Sequence, residues 1–276
     1  MRRCVLLLTT LMMLLAPWCT DATAKDRKDK KKKKVEVVAV DDPTLPVPDA
    51  PLMPLAPQVP LALDQEYTKT AASHTPNRQI MGIDVSHYQG QIDWHEVARN
   101  SDVHFVYIKA TEGAELTDNM FRTNLRGARR AGLKVGVYHF YIPSVTPQKQ
   151  FQNLRQAVDL KEMDLLPIID IERRGRDDLP TFQRNLKTFI QMVERHYGVK
   201  PLLYCSRDFY NKYLSGPFTS YKYMIARYHP EVPELCDNAA FVVWQFSSTS
   251  YVRGIRGHVD RSCMMDDYTL RDILIR

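Results

Sequence analysis

The chain has 276 residues, enough for two ordinary domains or for one large barrel. Its basic residues are concentrated at the start: residues 1–34 carry ten Lys or Arg and three Asp, whereas the rest of the chain carries 28 basic and 29 acidic side chains. The net charge of +6 therefore gives no support for a nucleic-acid-binding face on the folded part, and we expect no nucleic-acid partner.

The first residues have the organisation of an export signal. Met1–Arg3 is basic, Val5–Ala16 is nearly all apolar, and Ala22–Ala24 offers a small-x-small cleavage pattern, so residues 1–24 are predicted to be a signal peptide. The apolar run is shorter than the roughly 20 residues of a membrane span. Two alternatives are an uncleaved membrane anchor and lipidation at Cys19, although Cys19 lacks the small preceding residue expected at such a site.

Residues 25–78 have the composition of a disordered linker, first Lys-rich and then Pro-rich. Lys25–Lys34 holds eight basic residues against two Asp, and from Asp42 to Pro60 a proline recurs every two or three residues, too often for helix or sheet. The lysine run is a solvated tail or, alternatively, a contact for an anionic surface. The folded domain is expected from Gln79 to the end of the chain.

From Gln79 onward, short apolar runs alternate with segments of helical spacing. The predicted strands are Met81–Ser86, Phe105–Ala110, Val135–Tyr141, Leu166–Glu172, Pro201–Ser206, Tyr223–Ala226, Phe241–Phe246 and a short piece at His258–Asp260. The predicted helices are Asp93–Asn100, Asn119–Ala131, Pro147–Glu162, Thr181–Tyr197 and Arg207–Leu214. Such alternation indicates an α/β fold with parallel strands, either a barrel or a doubly wound sheet. Eight strands favour a single TIM-like barrel, (β/α)5(β)3.

Two acids in the fourth strand are the most informative pair. Because side chains alternate along a strand, Asp170 and Glu172 share one face, and they lie where the apolar run ends. In a parallel barrel this is the rim on which active sites are built. A purely structural explanation is that both acids pair with Arg173 or Arg174. Two like charges on one interior face raise each other's pKa, which is what glycosidic cleavage requires of an acid and its ionised partner.

Asp84 in the first strand and Asp260 in the last strand follow the same pattern. Since a closed barrel makes the first and last strands neighbours, four carboxylates from three strands are expected at one mouth. Each acid alone is better explained as a helix cap or turn former, and only their joint occurrence favours a shared functional mouth. The three cysteines beyond the signal, Cys205, Cys236 and Cys263, match no zinc spacing and are expected to be small buried groups.

Several motifs in order resemble glycoside hydrolase family 25, the muramidase-type lysozymes. They are Gly82-Ile-Asp-Val-Ser-His-Tyr-Gln-Gly90, Phe105-Val-Tyr-Ile-Lys-Ala-Thr-Glu-Gly113, Gly136-Val-Tyr-His-Phe140, Ile169-Asp-Ile-Glu172, and Trp244-Gln-Phe-Ser-Ser248 with Gly254-Ile-Arg-Gly-His-Val-Asp260. The resemblance implies one barrel that cleaves the β-1,4 bond between N-acetylmuramic acid and N-acetylglucosamine. It also implies peptidoglycan glycan strands as the partner and no cofactor or metal. We further expect an exported monomer, periplasmic or extracellular, whose Lys-rich tail contacts anionic membrane or wall polymer.

The resemblance assigns roles to individual residues. Glu172 would be the general acid, Asp170 would orient the substrate's 2-acetamido group or organise water, and both Asp84 and Asp260 would line the cleft. The aromatic residues expected to contact sugar are Tyr138, Tyr204 and Trp244, for each of which a core role is the alternative. Gln245 alternates to the face opposite Trp244 and is not predicted to act.

The sequence departs from the family pattern at two places, and two rival functions are open. Tyr223-Met224 stands where a tryptophan is usual, and Arg261-Ser-Cys-Met264 replaces an asparagine-containing continuation. One rival is a non-catalytic glycan-binding module, although neutral sugar would favour aromatics and amides over clustered carboxylates. The other is a metal-dependent hydrolase that uses Asp84, Asp170, Glu172 and His139, although paired histidines are lacking.

Overall fold

The computed structural model describes residues 74–99, 102–237 and 239–275. The predictions for residues 1–73, which include the signal peptide and most of the linker, lie outside these ranges. Within the described ranges, the longest apolar helix falls short of what is needed to cross a membrane.

The described residues form nine strands and five helices. The strands are β1 (Pro76–Val85), β2 (Phe105–Glu112), β3 (Leu116–Thr117), β4 (Lys134–Phe140), β5 (Ile168–Asp170), β6 (Leu202–Ser206), β7 (Tyr223–Ala226), β8 (Val243–Ser250) and β9 (Val259–Met265). The helices are α1 (Trp94–Arg99), α2 (Phe121–Arg130), α3 (Pro147–Ala157), α4 (Leu179–Tyr197) and α5 (Arg207–Phe209), which continues into one wide turn over Tyr210–Leu214.

Eight of the strands close into a barrel. The order is β1-β9-β8-β7-β6-β5-β4-β2, and β1 also pairs with β2, while the two-residue β3 extends the end of β2. The pairs β1–β2, β2–β4, β4–β5, β5–β6, β6–β7 and β7–β8 are parallel. A helix separates each of the barrel strands β1, β2, β4, β5 and β6 from the next barrel strand along the chain. The predicted (β/α)5(β)3 barrel is confirmed, and the doubly wound alternative is wrong because the sheet has no free edges at β1 and β2.

The last strand differs from the prediction in extent and direction. The predicted piece ended at Asp260, whereas β9 begins at Val259, continues to Met265 and runs antiparallel to both β8 and β1. Asp260 therefore lies near the start of its strand. Antiparallel pairing brings that start to the carboxyl end of β1, where Asp260 is the direct cross-strand partner of Asp84.

The barrel begins before the expected boundary at Gln79. β1 starts at Pro76, and the residues just before it are tied to the end of β9. The Asp266 carboxylate accepts from the Thr75 backbone amide (2.7 Å) and lies 2.8 Å from Nδ1 of His74. Residues 74–78, which the sequence assigned to the linker, are thus part of the barrel wall.

Two apolar layers stabilise the barrel. The outer layer packs outward-facing strand residues such as Val106, Ile108 and Val137 against the helices. The inner layer fills the barrel at the amino ends of the parallel strands; we call it the barrel plug, and its strand members are Phe105, Tyr107, Ile168, Leu202, Met224, Val243 and Met264. Cys205 and Cys263 are buried free thiols as expected, whereas Cys236 is exposed. Apolar burial on both faces of the strands explains their continuous apolar sequence.

Candidate active site

The four predicted acids line one cleft at the mouth of the barrel. Asp170 is the last residue of β5, Glu172 lies two residues beyond, Asp84 is near the end of β1, and Asp260 is near the start of β9. The cleft lies directly above the barrel plug, because the acids occupy inward-facing positions of the barrel wall just beyond those filled by the plug. The shared inward face of Ile168, Asp170 and Glu172 is as predicted from strand alternation.

The cleft has two lobes that share Glu172 and Tyr204. The acidic lobe has a volume of about 180 Å³ and is lined by Asp84, Ser86, Tyr88, Lys109, Tyr138, Phe140, Ile168, Asp170, Glu172, Tyr204, Gln245 and Asp260. The arginine lobe has a volume of about 570 Å³ and is lined by Glu172, Tyr204, Ser206, Arg207, Asp208, Ala226, Arg227 and Tyr228. Glu172 therefore lies at the junction of a groove that extends to both sides of it.

Asp170 is buried and incompletely satisfied. Only 6% of the residue is exposed, and its Oδ1 has no hydrogen-bond partner within the described ranges. Burial raises the pKa of Asp170 well above its usual range, and the Glu172 carboxylate raises it further, while Lys109 opposes the shift. A buried acceptor without a donor is costly, and such groups in native structures are concentrated where a ligand completes them.

Asp84 and Asp260 form a second pair of coupled acids. Burial raises the pKa of Asp84 to about 7, with a further contribution from Asp260, while hydrogen bonds from Gln245 and Ser262 act in the opposite direction. Burial and the neighbouring Glu172 carboxylate raise the pKa of Asp260 to about 6. Asp84 on β1 and Asp260 on β9 thus change protonation near neutral pH, and the raised pKa values of all four acids agree with the mutual effect predicted for like charges on one interior face.

Glu172 is the most accessible of the four acids. Partial enclosure by the cleft walls raises the pKa of the Glu172 carboxyl, and Glu112 adds to the shift, whereas Arg173 and Lys109 oppose it. The suggested ion pair with Arg173 or Arg174 does not occur among the described salt bridges, and Arg174 instead donates to the backbone oxygen of Asp177. The side chain is therefore free to meet a ligand.

Lys109 and Glu112 are site residues that the sequence analysis missed. Lys109 is 7% exposed, and its Nζ lies 2.6 Å from Oε2 of Glu112. The charges of both residues influence the pKa values of Asp170 and Glu172. Residues three apart on a regular strand face opposite sides, but the pairing of β2 with β4 shifts register between Lys109 and Thr111. This bulge places both side chains inside. A lysine within an otherwise apolar predicted strand was the available signal.

The predicted sugar-contacting aromatics divide into two groups. Tyr138 and Tyr204 line the acidic lobe, as expected. Trp244 does not: it is 1% exposed in the outer layer, and its Nε1 donates to the backbone oxygen of Arg227 (3.0 Å). The expectation for Trp244 is corrected, because strand alternation turns Gln245 inward instead. Gln245 lines the acidic lobe and was wrongly set aside.

Two exposed tyrosines were also missed. Tyr88 is 81% exposed at the edge of the acidic lobe, on a loop that Asp118 anchors by accepting from the backbone amide of His87 (3.0 Å). Tyr228 is 55% exposed in the arginine lobe. Exposed aromatic rings at both ends of a groove are suited to packing against the apolar faces of sugar rings.

His139 does not join the carboxylates. Its ring is fully buried in the outer layer, with Nδ1 2.8 Å from Oγ1 of Thr111 and Nε2 3.3 Å from Oε1 of Gln150. Burial lowers the pKa of His139 to about 4, so the ring is neutral at physiological pH. The metal-site alternative that combined His139 with the acids is therefore wrong, and in the described ranges we find no cluster of three or more His, Cys, Asp or Glu arranged to hold a metal.

A closed βα barrel with four coupled carboxylates beside a two-lobed groove defines a glycoside hydrolase. The profile of glycosyl hydrolases family 25 matches residues 83–255. The chain belongs to this family, and the resemblance inferred from the ordered motifs is confirmed.

Individual relatives agree with this membership. The chain is 37% identical over 197 residues to YegX of Escherichia coli O157:H7, a match that covers 70% of this chain and 72% of YegX. It is 29% identical over 199 residues to lysozyme M1 of Streptomyces globisporus, covering 66% of this chain and 67% of that protein. The structure of a family 25 glycosyl hydrolase from Bacillus anthracis superposes with a TM-score of 0.63 at 28% identity, covering 68% of this chain and 89% of the other.

Proposed function

We propose that this enzyme is a muramidase that hydrolyses the β-1,4 bond between N-acetylmuramic acid and N-acetylglucosamine in peptidoglycan. The observation that carries the proposal is the place of Glu172, at the junction of two lobes that together can hold sugars on both sides of one bond. Relatives named lysozyme and muramidase support the substrate class. We therefore assign peptidoglycan glycan strands as the polymer in the groove.

Glu172 is proposed as the general acid that protonates the leaving glycosidic oxygen. This role needs a carboxyl that remains protonated closer to neutral pH than an ordinary glutamate and that can reach the substrate. The raised pKa of Glu172 and its accessibility from both lobes support the assignment.

Asp170 is proposed to orient the 2-acetamido group of the sugar in the acidic lobe. Its Oδ1 lacks a donor within the described ranges, and an acetamido N–H is a donor that an N-acetylated sugar would bring. Holding the acetamido group in this way would place its carbonyl oxygen toward the anomeric carbon. An unsubstituted hexose has a 2-hydroxyl that can also donate to Asp170, but it lacks the acetamido carbonyl oxygen that would approach the anomeric carbon.

Asp84 and Asp260 are proposed to line the sugar site and to modulate the charge of the catalytic pair. Asp260 is electrostatically coupled to Glu172, and Asp84 to Asp170, which supports this role. Tyr138 and Tyr204 are proposed to contact sugar from the walls of the acidic lobe.

We also propose that the chain is exported, with residues 1–24 as its signal peptide and the Lys-rich and Pro-rich residues that follow as a linker. Peptidoglycan lies outside the cytoplasmic membrane, so a muramidase that acts on it needs an export route. The lysine run is proposed to contact anionic membrane or wall polymer, and the catalytic barrel to act as a monomer.

The central test is the replacement Glu172→Gln in the full-length chain. The amide cannot donate a proton, so we expect the loss of at least about 10³-fold in the rate of peptidoglycan solubilisation with an unchanged melting temperature. Glu96→Gln on α1 is the matched control, since Glu96 pairs with the nearby Arg99 (2.9 Å) on the surface and its replacement is expected to leave the rate unchanged.

The products identify the bond. Reducing ends of N-acetylmuramic acid, measured by mass spectrometry of the soluble fragments, are expected from the wild-type enzyme. Reducing ends of N-acetylglucosamine would contradict the proposed bond. A Glu172→Gln variant that solubilises peptidoglycan at the wild-type rate would contradict the assignment of the acid.

A further inference from the structure

Gln245 lies at the centre of a hydrogen-bond network that joins the two lobes. Its side-chain amide is buried, with 3% of the residue exposed. Its Nε2 donates to Oδ2 of Asp84 (3.1 Å) in the acidic lobe. Its Oε1 accepts from the hydroxyl of Tyr204 (2.9 Å), which borders both lobes, and from the hydroxyl of Tyr228 (2.8 Å) in the arginine lobe. One amide therefore contacts three residues from three separate parts of the chain.

The chemistry of the partners fixes the orientation of this amide. When Asp84 is ionised its oxygens only accept, so the amide nitrogen faces Asp84 and the amide oxygen faces the two phenols. Each phenol has one hydrogen, and both hydrogens are donated to Gln245. The oxygens of Tyr204 and Tyr228 are consequently left to the groove as acceptors for sugar hydroxyl groups.

We infer that Gln245 is a positioning residue for the proposed reaction, which couples the two sugar-contacting tyrosines to Asp84. This inference rests on the proposed function for its effect on catalysis, but the coupling itself is a property of the free enzyme. A residue that only filled space at this position would need neither an amide donor nor an amide acceptor. The three bonds at 2.8–3.1 Å instead use both ends of the side chain.

Titratable groups from several strands of the barrel surround Asp84, and the hydrogen bond from Gln245 acts on its pKa together with them. The titratable groups that surround Asp84 are Tyr107 on β2, Tyr138 on β4, Asp170 on β5, Tyr204 on β6, Tyr228 after β7 and Asp260 on β9. The hydrogen-bond donors to its carboxylate are Gln245 and, at a longer 3.4 Å, Ser262. Gln245 thus supplies the shorter of the two bonds that favour the ionised form of Asp84.

Two single replacements separate the two ends of the amide. Gln245→Met removes the amide donor and acceptor without adding a charge, whereas Tyr228→Phe removes one tyrosine bond and leaves the donor to Asp84 intact. Ser262→Ala is the matched control for loss of a donor to Asp84 without any change at the tyrosines.

The experiment measures the titration of the Asp84 carboxyl by carbon NMR together with the pH profile of peptidoglycan hydrolysis. A hydrogen bond to a charged group corresponds to about one pKa unit, so Gln245→Met is expected to move the Asp84 titration to higher pH by about one unit. Ser262→Ala is expected to move it by less. Tyr228→Phe is expected to leave it in place and to raise KM more than it lowers kcat.

Asp84→Asn identifies which limb of the pH profile Asp84 controls, and that limb is expected to follow the NMR shift. An unchanged Asp84 titration in folded Gln245→Met would overturn the inference, as would an equal shift in Ser262→Ala. If wild-type enzyme fails to hydrolyse peptidoglycan while the Asp84 titration shifts as expected, the proposed function fails and the coupling through Gln245 stands.

Discussion

The two halves of the barrel interior are built on the same strands and differ sharply in chemistry. At the amino ends of the parallel strands, the inward residues Phe105, Ile168 and Leu202 pack into the barrel plug. One or two inward positions further along the same strands, Lys109, Asp170 and Tyr204 line the cleft. Because side chains alternate along each strand, the same inward-facing row of residues lines both halves. Only the residue type changes along that row, from apolar in the plug to polar in the cleft.

The difference shows which part of the interior supplies stability and which supplies chemistry. The plug is packed so closely that a Cβ atom on Gly136 would lie 2.3 Å from the Tyr107 ring. The cleft instead buries carboxylates with raised pKa values, which is unfavourable for folding above the ordinary pKa of an aspartate. The barrel tolerates that cost because the plug and the outer layer are apolar and well packed.

Among the variants that test this comparison, the largest effect is expected from Asp170→Asn, which tests the cleft side. We expect a loss of about 10²-fold or more in hydrolysis rate, because the uncharged amide offers one weaker acceptor oxygen in place of the two carboxylate oxygens. Since the pKa of Asp170 is raised in the folded state, its contribution to stability is present below about pH 4 and is lost as pH rises. The variant should thus melt higher than wild type at pH 7 and equally at low pH, as measured by calorimetry.

The control for Asp170→Asn is Asp164→Asn. Asp164 accepts a hydrogen bond from the Val135 backbone amide (3.1 Å), so its replacement is expected to lower the melting temperature at neutral pH. A fall in the melting temperature of Asp170→Asn similar to that of the control would show that Asp170 stabilises the fold, contrary to the comparison.

An intermediate effect is expected from Gly136→Ala, which tests the plug side. The added methyl group would press on the Tyr107 ring and on Cβ of Leu165 (3.0 Å), and overpacking of this kind costs about 1–3 kcal/mol. Denaturant titration should show the loss of free energy of unfolding, while the rate of the folded enzyme stays close to wild type. Gly198→Ala is the comparison, because open space surrounds Gly198 and only its φ of +71° opposes the change, at a cost of about 1 kcal/mol.

Much of this division is visible in the sequence. The run Leu166–Glu172 shows the change from apolar to acidic inward positions directly, and Tyr223–Ala226 was predicted with its observed bounds as β7. Strand alternation also correctly predicted that Trp244 and Gln245 face opposite sides of the barrel wall. It did not say which of the two faces inward, and the resemblance to the family's sugar-contacting aromatics selected the wrong one.

The remaining errors arise from contacts between distant parts of the chain. β9 was underestimated because Arg261 interrupts its apolar pattern, yet Arg261 is buried and paired with Asp102 (2.8 Å), which lies 159 positions away in the chain. Lys109 and Glu112 were missed because the bulge in β2 depends on its pairing with β4. Neither a distant ion pair nor a register shift follows from local periodicity.

The smallest effect is expected from Asp260→Asn, which sharpens the comparison within the cleft itself. After burial, the charge of Asp260 is the main cause that raises the pKa of Asp84, to which it is paired across β1 and β9. Removing that charge should lower the Asp84 titration from about 7 by less than one unit, opposite in direction to Gln245→Met. Asp267→Asn, an exposed acid just beyond the other end of β9, controls for the change in net charge. If both variants shift the titration equally, overall charge rather than the cross-strand pair governs Asp84, and the acids of the mouth do not act as a local cluster.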